Sequence, residues 1–149
     1  ALGGRLIEFA GWMLPVQYPT GPLEEHHAVR RAAGLFDIDH MAQLVVKGPD
    51  ALPYLQHVVT MDVSRMVMGE AHYSLVCYED GGIVDDIFVY RLADRYFIAI
   101  NAANADKDTQ WFRYQLGRFR ATVENVADET YMLALGAKGR GHSPATDAG

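Results

Sequence analysis

Thiols, basic charge and long apolar runs are all scarce in this chain, and each scarcity closes off a class of function. Cys77 is the one cysteine, so no internal disulfide can form and a reducing compartment is expected. It lies within a β-rich run and reads as a small buried hydrophobe. Lys and Arg number 13 against 19 Asp and Glu, a formal net charge of −6, whereas a general nucleic-acid binder would carry a basic patch or stripe. No apolar stretch approaches the length that spans a membrane, and no charged-then-apolar leader opens the chain. Its first residue is Ala1, which reads as an excerpt or a processed form. No internal repeat is present. His26 and His27 are adjacent, so they diverge around a helix and lack the i, i+4 spacing of a metal pair; no metal is expected.

What is present suits one α+β domain. Half of the 149 residues are hydrophobic and 21% are charged, enough to build a core without extreme charge. Residues 1–135 read as that domain. Residues 136–149, GAKGRGHSPATDAG, hold no large apolar group and four glycines, so they are expected to be a disordered tail.

Apolar periodicity and punctuation give the elements. A strand ends near Phe9, and an irregular segment over 10–18 is expected to pack Trp12 and Tyr18 onto the core. Pro22 opens a helix with Glu24 and Glu25 in its first turn, Arg30 and Arg31 toward its end, and Gly34 as its stop. Residues 35–46 read as one strand region. Gly48-Pro49-Asp50 opens a short helix running to about Val59, and 58–68 is an irregular, methionine-rich connection. Asn101 or Asn104 caps a helix over 105–116 whose stripe is Ala105, Thr109, Phe112 and Leu116. Strands over 119–126 and 130–135 follow. The pattern predicts an antiparallel sheet with flanking helices.

The chain's organising stretch is 71–104, three antiparallel strands joined by two tight turns. Asp80-Gly81 between β-rich runs is a strong hairpin signal. With those two residues as the loop, Cys77 faces Val84, Leu75 faces Asp86 and Tyr73 faces Phe88. A second turn at Ala93-Asp94 puts Asn101 opposite Asp86. Side chains alternate, so Asp85 falls with Ile83, Ile87 and Val89, and Asp86 with Val84, Phe88 and Tyr90. One face thereby gathers Tyr73, Asp86, Phe88, Tyr90 and Asn101. A carboxylate among aromatics is costly unless something cationic or hydrogen-bonding meets it. Two readings stay open at this level: aspartates at a strand end that see water, or a slot for a flat, nitrogen-bearing ligand held by Asp86.

A set of landmarks then carries a resemblance. FAGW and PVQY fall within 9–18, HHAVRRAAGLFDIDHM covers 26–41 and KGPDAL covers 47–52. YSLVCYEDGGIVDDIFVY covers 73–90 and NAANADKD covers 101–108. In order and spacing these resemble the N-terminal part of the tetrahydrofolate-dependent aminomethyltransferases, the T-protein of the glycine cleavage system. Sarcosine and dimethylglycine dehydrogenases and some folate-dependent demethylases carry related domains. The resemblance implies aminomethyl transfer from the lipoyl arm of a carrier protein (H-protein) to tetrahydrofolate, releasing ammonia and forming methylene-tetrahydrofolate. It assigns Asp86 as the catalytic aspartate and Met41, Tyr73, Phe88, Tyr90 and Asn101 as folate-lining positions. It also implies a bacterial cytoplasmic or mitochondrial matrix location.

Departures from that pattern are local, except at the end. Asp39 stands for Ser before His40-Met41, Ala42 for Gly, Met61 for Asn before Asp62, and Met13-Leu14 for Glu-Met. Tyr78 stands at a commonly polar position. Past Leu135 the family continues into Gln-Gly-Pro and a second folate-contacting half, whereas here GAKGRGHSPATDAG follows. A truncated enzyme and a folate-binding or structural fragment without turnover are therefore both expected readings, with a demethylase as a further one. An iron–sulfur accessory role lacks its K-G-C-Y-x-G-Q-E-like stretch around Cys77. An uncovered edge where the missing half would dock predicts self-association.

Overall fold

The computed structural model describes residues 2–9 and 11–137. Where composition suggested one domain, contacts divide the chain into two compact units. Residues before Asp39 join the strand that starts at Leu133, and Asp39–Met132 form the other unit.

In the first unit, β1 (Arg5–Phe9) and β2 (Trp12–Gln17) make an antiparallel hairpin. Gly11 turns it at φ 84°, and its N–H donates to the Glu8 carboxylate at 2.7 Å. The expected irregular segment over 10–18 is thus mostly a strand. Pro15 fits because a two-stranded ribbon has only edge strands, which need no donor on their outer side. Trp12 is half exposed rather than core. Helix α1 (Pro22–Arg31) carries its acidic and basic ends as the sequence predicts, but stops three residues before Gly34. Gly34 instead lies in β3 (Ala33–Asp37), which pairs antiparallel with β9 (Leu133–Ala137). A Cβ on Gly34 would stand 2.4 Å from a methyl of Val29, so the glycine is what lets α1 lie on β3. Strand β9 takes in Gly136 and Ala137, two residues assigned to the tail from composition. The rest of the expected tail, 138–149, lies outside the described residues.

The second unit is a five-stranded antiparallel sheet in the order β5-β6-β7-β4-β8. Its strands are β4 (Ala42–Lys47), β5 (Ala71–Cys77), β6 (Ile83–Arg91), β7 (Tyr96–Ile100) and β8 (Thr122–Asn125). The single strand region expected over 35–46 is therefore two strands, broken between Asp37 and Ala42 and assigned to different sheets. On one face Leu44, Val46, Val89, Ile98 and Ile100 meet Tyr54 and Leu55 of α2 (Ala51–Val58) and Phe112 of α3 (Ala105–Gln115). Each such side chain, fully buried, contributes roughly 1.5–3 kcal/mol. On the other face, Gln43 and Ala99 are buried and Gln43 accepts from the Thr130 hydroxyl at 2.9 Å. Toward β5 and β6 that second face opens to solvent, and this asymmetry positions the site. Among the described residues no helix is long and apolar enough to cross a membrane.

Candidate functional site

Away from the tip of the β5–β6 hairpin, the strands pair in the register that the sequence predicts. Tyr73 pairs with Phe88 and Leu75 with Asp86. Phe88 pairs with Ala99, and one further step of two brings Asn101 opposite Asp86. Ala42 pairs with Ile100, so Met41 lies at the next register position, opposite Asn101. Asp86, Asn101 and Met41 therefore form one row across β6, β7 and the approach to β4. The row beside it carries Tyr73 and Phe88, and the next carries Tyr90 against Phe97. All six predicted site residues come together on this one face.

Their surroundings suit an open slot. Asp86 is exposed, Tyr73 is 54% and Phe88 44% exposed, and their rings meet edge-to-face at 5.6 Å. Tyr90 and Phe97 make a second edge-to-face pair at 5.9 Å. Partial desolvation, then the charge and hydrogen bonding of Asp86, push the Tyr73 hydroxyl above its ordinary value, with a smaller push from Asp85.

The hairpin departs from the predicted register at its tip. Val76 pairs with Asp85, but Cys77 pairs with Ile83 rather than Val84, leaving Val84 as an extra residue on β6. Such a bulge re-aims side chains. Val84 and Asp85 are both buried, while Ile83 is exposed, so Ile83 leaves the face that parity gave it with Asp85. Cys77 is half-buried rather than core.

Asp85 is the residue that sequence reasoning undervalued. It is 6% exposed, and its Oδ1 accepts from the side-chain amides of Asn101 at 3.0 Å and Asn104 at 3.1 Å. The Asn101 Nδ2 also reaches the carbonyl oxygen and Oδ1 of Asp86, both at 3.1 Å. Neither asparagine caps a helix as expected: both 101 and 104 precede helical turns, yet neither side chain bonds a backbone N–H there. A buried carboxylate outcompetes the cap because an unsolvated charge costs more than a frayed helix end.

Asp108, on the first turn of α3, completes the cluster at 1% exposure. Burial first, then the hydrogen bond and charge of Asp85, push its carboxyl up to about 8; Lys107 works against the shift. Burial alone would also raise Asp85, but hydrogen bonds from Asp108, Asn101, the Asp86 N–H and Asn104 outweigh it and hold that carboxyl below its usual range. At neutral pH Asp108 is the protonated partner and Asp85 the anion. Lys107 caps the cluster from outside, donating to the Val84 carbonyl at 2.5 Å and standing 3.6 Å from Asp108. The sequence carries a signal for Asp108: it sits between Ala105 and Phe112 on the buried stripe of its helix. Among the described residues no cluster of three or more metal-ligating side chains occurs.

Comparisons with known proteins bear on the family and the fold. Residues 1–140 match the family model for the GCVT N-terminal domain. The aminomethyltransferase of Bacillus pumilus is 48% identical over 134 residues, which cover 89% of this chain and 36% of that protein. That of Chlorobaculum tepidum is 46% identical over 137 residues, covering 91% of this chain and 37% of its own length. The crystal structure of the glycine cleavage system aminomethyltransferase T from Bartonella henselae superposes with a TM-score of 0.84 at 37% identity, over 91% of this chain and 37% of that one. The chain thus spans little more than a third of the length of these relatives. With its antiparallel sheets and flanking helices, the chain belongs to the GCVT N-terminal domain family of the aminomethyltransferases.

Proposed function

We propose that this chain supplies the folate-facing part of an aminomethyltransferase, acting in glycine cleavage on an aminomethyl group presented by a lipoyl carrier protein. The observation that carries the reading is the row Asp86, Asn101 and Met41 beside the exposed rings of Tyr73, Phe88 and Tyr90. An open aromatic face with one carboxylate suits a flat heterocycle that bears N–H groups, which is the chemistry of a reduced pterin. Tetrahydrofolate, when bound, supplies a nucleophilic amine.

The chain's own residues then have separate tasks. Asp86 accepts a hydrogen bond from a ligand N–H and stabilises positive charge that develops there. Asn101 holds the Asp86 carboxylate by its amide, so that it is aimed before the ligand arrives. Tyr73 and Phe88 present a stacking edge, and Met41 borders the same row with an adaptable thioether. Positioning of the two reactants is as large a contribution as any of these.

Calorimetric titration of the chain with tetrahydrofolate, alongside Asp86→Asn, tests the reading. Saturable binding weakened about tenfold by the variant is expected from the loss of a charged acceptor. No binding by a folded sample would sink the idea for this polypeptide. A second reading is a folate-binding piece without turnover of its own, which aminomethyl-transfer assays of this chain and a full-length relative would separate. Demethylation rather than aminomethyl transfer is the alternative if the full-length protein acts on N-methyl amines instead.

A further inference from the structure

We propose that Asp85 is a positioning residue for Asp86, acting through Asn101: the buried carboxylate fixes the Asn101 amide so that one nitrogen serves both aspartates. The inference rests on the functional reading above, because it deepens the role of Asp86.

The geometry decides the orientation of Asn101. Its Nδ2 lies 3.0–3.1 Å from three oxygens, Asp85 Oδ1, Asp86 Oδ1 and the Asp86 carbonyl. Flipping the amide would set its own oxygen against all three, so only the observed orientation is tolerated. Asp85 is the buried member of this set and Asp86 the exposed one. An exposed carboxylate has water as an alternative partner, whereas a buried one does not. Most of the free energy that aims the amide therefore comes from Asp85.

Two further contacts support the assignment. Asn104 donates to the same Asp85 oxygen at 3.1 Å without reaching Asp86, so Asp85 is held even when Asn101 moves. Among the described residues Asp85 Oδ2 and both Asp108 oxygens are buried without a hydrogen-bond partner, with Lys107 Nζ 3.6 Å from Asp108 Oδ1. A proton carried by Asp108 and donated to Asp85 Oδ2 joins the two carboxyls and leaves Asp85 Oδ1 for the two amides. Strand alternation turns Asp85 inward next to an Asp86 that points out, so neighbouring residues offer one buried and one exposed carboxylate to the same amide.

The test combines an NMR readout that needs no folate with a binding readout that does. Side-chain amide hydrogen exchange of Asn101 in the unaltered chain is expected to be at least about tenfold slower than that of Asn125, whose residue is exposed. Equal exchange overturns the proposal, and this arm needs no variant to fold. In Asp85→Asn, shown to be folded by circular dichroism, the Asn101 protection is expected to fall about tenfold, because the new amide brings donors where acceptors are needed. In Asp108→Asn, which keeps a neutral donor toward Asp85, it stays within about twofold of the unaltered chain.

Tetrahydrofolate titration then asks whether Asp85 acts through Asp86. Asp85→Asn is expected to weaken binding about tenfold in the unaltered background and less than about twofold in Asp86→Asn. Equal losses in both backgrounds, or no loss in a folded Asp85→Asn chain, would show that Asp85 does nothing for Asp86. If the unaltered chain does not bind tetrahydrofolate, the functional reading fails while the exchange measurements still decide the anchoring of Asn101.

Discussion

Tyr54 on α2 donates its hydroxyl to the carbonyl oxygen of Phe112 on α3 at 2.5 Å, joining two helices whose contact residues are 58 positions apart. Both side chains are fully buried, and burial pushes the Tyr54 hydroxyl up from its ordinary value, so it remains a donor at any working pH. Tyr54→Phe would strand a buried carbonyl near the end of α3. The expected cost is about 1–3 kcal/mol, read as a lower urea midpoint with an unchanged m-value.

The Asp85–Asp108 pair makes stability depend on pH. Asp108 has a folded value of about 8 against an ordinary 3.8, so the folded chain keeps a proton that the unfolded chain has lost. Its contribution is full below the unfolded value and is lost as pH rises through the folded one. Between about pH 4 and 8 this group alone lowers stability by up to about 1.4 kcal/mol per pH unit. Asp85, shifted the other way, loses its contribution only as pH falls below the ordinary carboxylate range. Chemical denaturation of the unaltered chain across that window should show the negative slope, and Asp108→Asn should flatten it. An unchanged slope in the variant would place the proton elsewhere.

Gly48 sits at φ 118°, and a Cβ there would lie 2.5 Å from the Arg120 carbonyl oxygen and 2.9 Å from the Ala121 Cα. Both obstacles are backbone and cannot swing away. Nearby, Arg120 grips the Asp50 carboxylate through its backbone N–H at 2.8 Å and through its guanidinium at 2.9 and 3.0 Å. Gly48→Ala should destabilise by about 2–4 kcal/mol, combining backbone strain with the clash. Thermal unfolding would read this directly, and a loss below about 0.5 kcal/mol would mean that the strand approach to residues 120–121 is soft.

Phe88 separates binding from folding. It is 44% exposed, so Phe88→Ala should change stability by no more than about 1 kcal/mol. The same change removes half of the Tyr73–Phe88 edge and should weaken tetrahydrofolate binding several-fold, about 0.5–1.5 kcal/mol. Matched losses of stability and affinity would count against Phe88 as a ligand-facing residue.

Apolar exposure in the first unit predicts self-association. Leu6, Ile7, Phe9, Trp12, Met13 and Val16 are all well exposed on the β1–β2 hairpin, and two-stranded ribbons are marginal without a covering partner. The outer edge of β5 contributes less than the sequence suggested, because Val59 bridges Val76 and Thr60 bonds Leu75 there. Sedimentation velocity over a range of concentrations should show a rising sedimentation coefficient. A single monomeric species throughout would argue that these side chains cover one another.

Local rules read well from this sequence and long-range pairing did not. Ala93-Asp94 set the placement of Asn101, because a tight turn converts loop length into register. In the β5–β6 hairpin Tyr78 bonds Gly82, a loop one residue longer than Asp80-Gly81, and the extra residue at Val84 restores the expected pairing of Tyr73 with Phe88. The bulge at Val84 is not legible in the sequence, since nothing in Ile83-Val84-Asp85 distinguishes two inward residues from strict alternation. The two asparagines were read as caps from their positions before a helix. Their true partner, Asp85, lies 16 and 19 residues away and is visible only once the sheet exists. The pairing of β3 with β9, about a hundred residues later, likewise leaves no local trace, so the division into two units was out of reach.

The extra residue at Val84 also bears on how this hairpin tolerates change. Pairing from Val76 and Asp85 onward is set by the sheet, while the tip beyond it, Cys77 to Ile83, is already out of phase. Insertions or deletions in the tip can be absorbed there, as slack in a line is taken up before it reaches the anchor. Natural drift in tip length need not rotate Asp86 away from the open face.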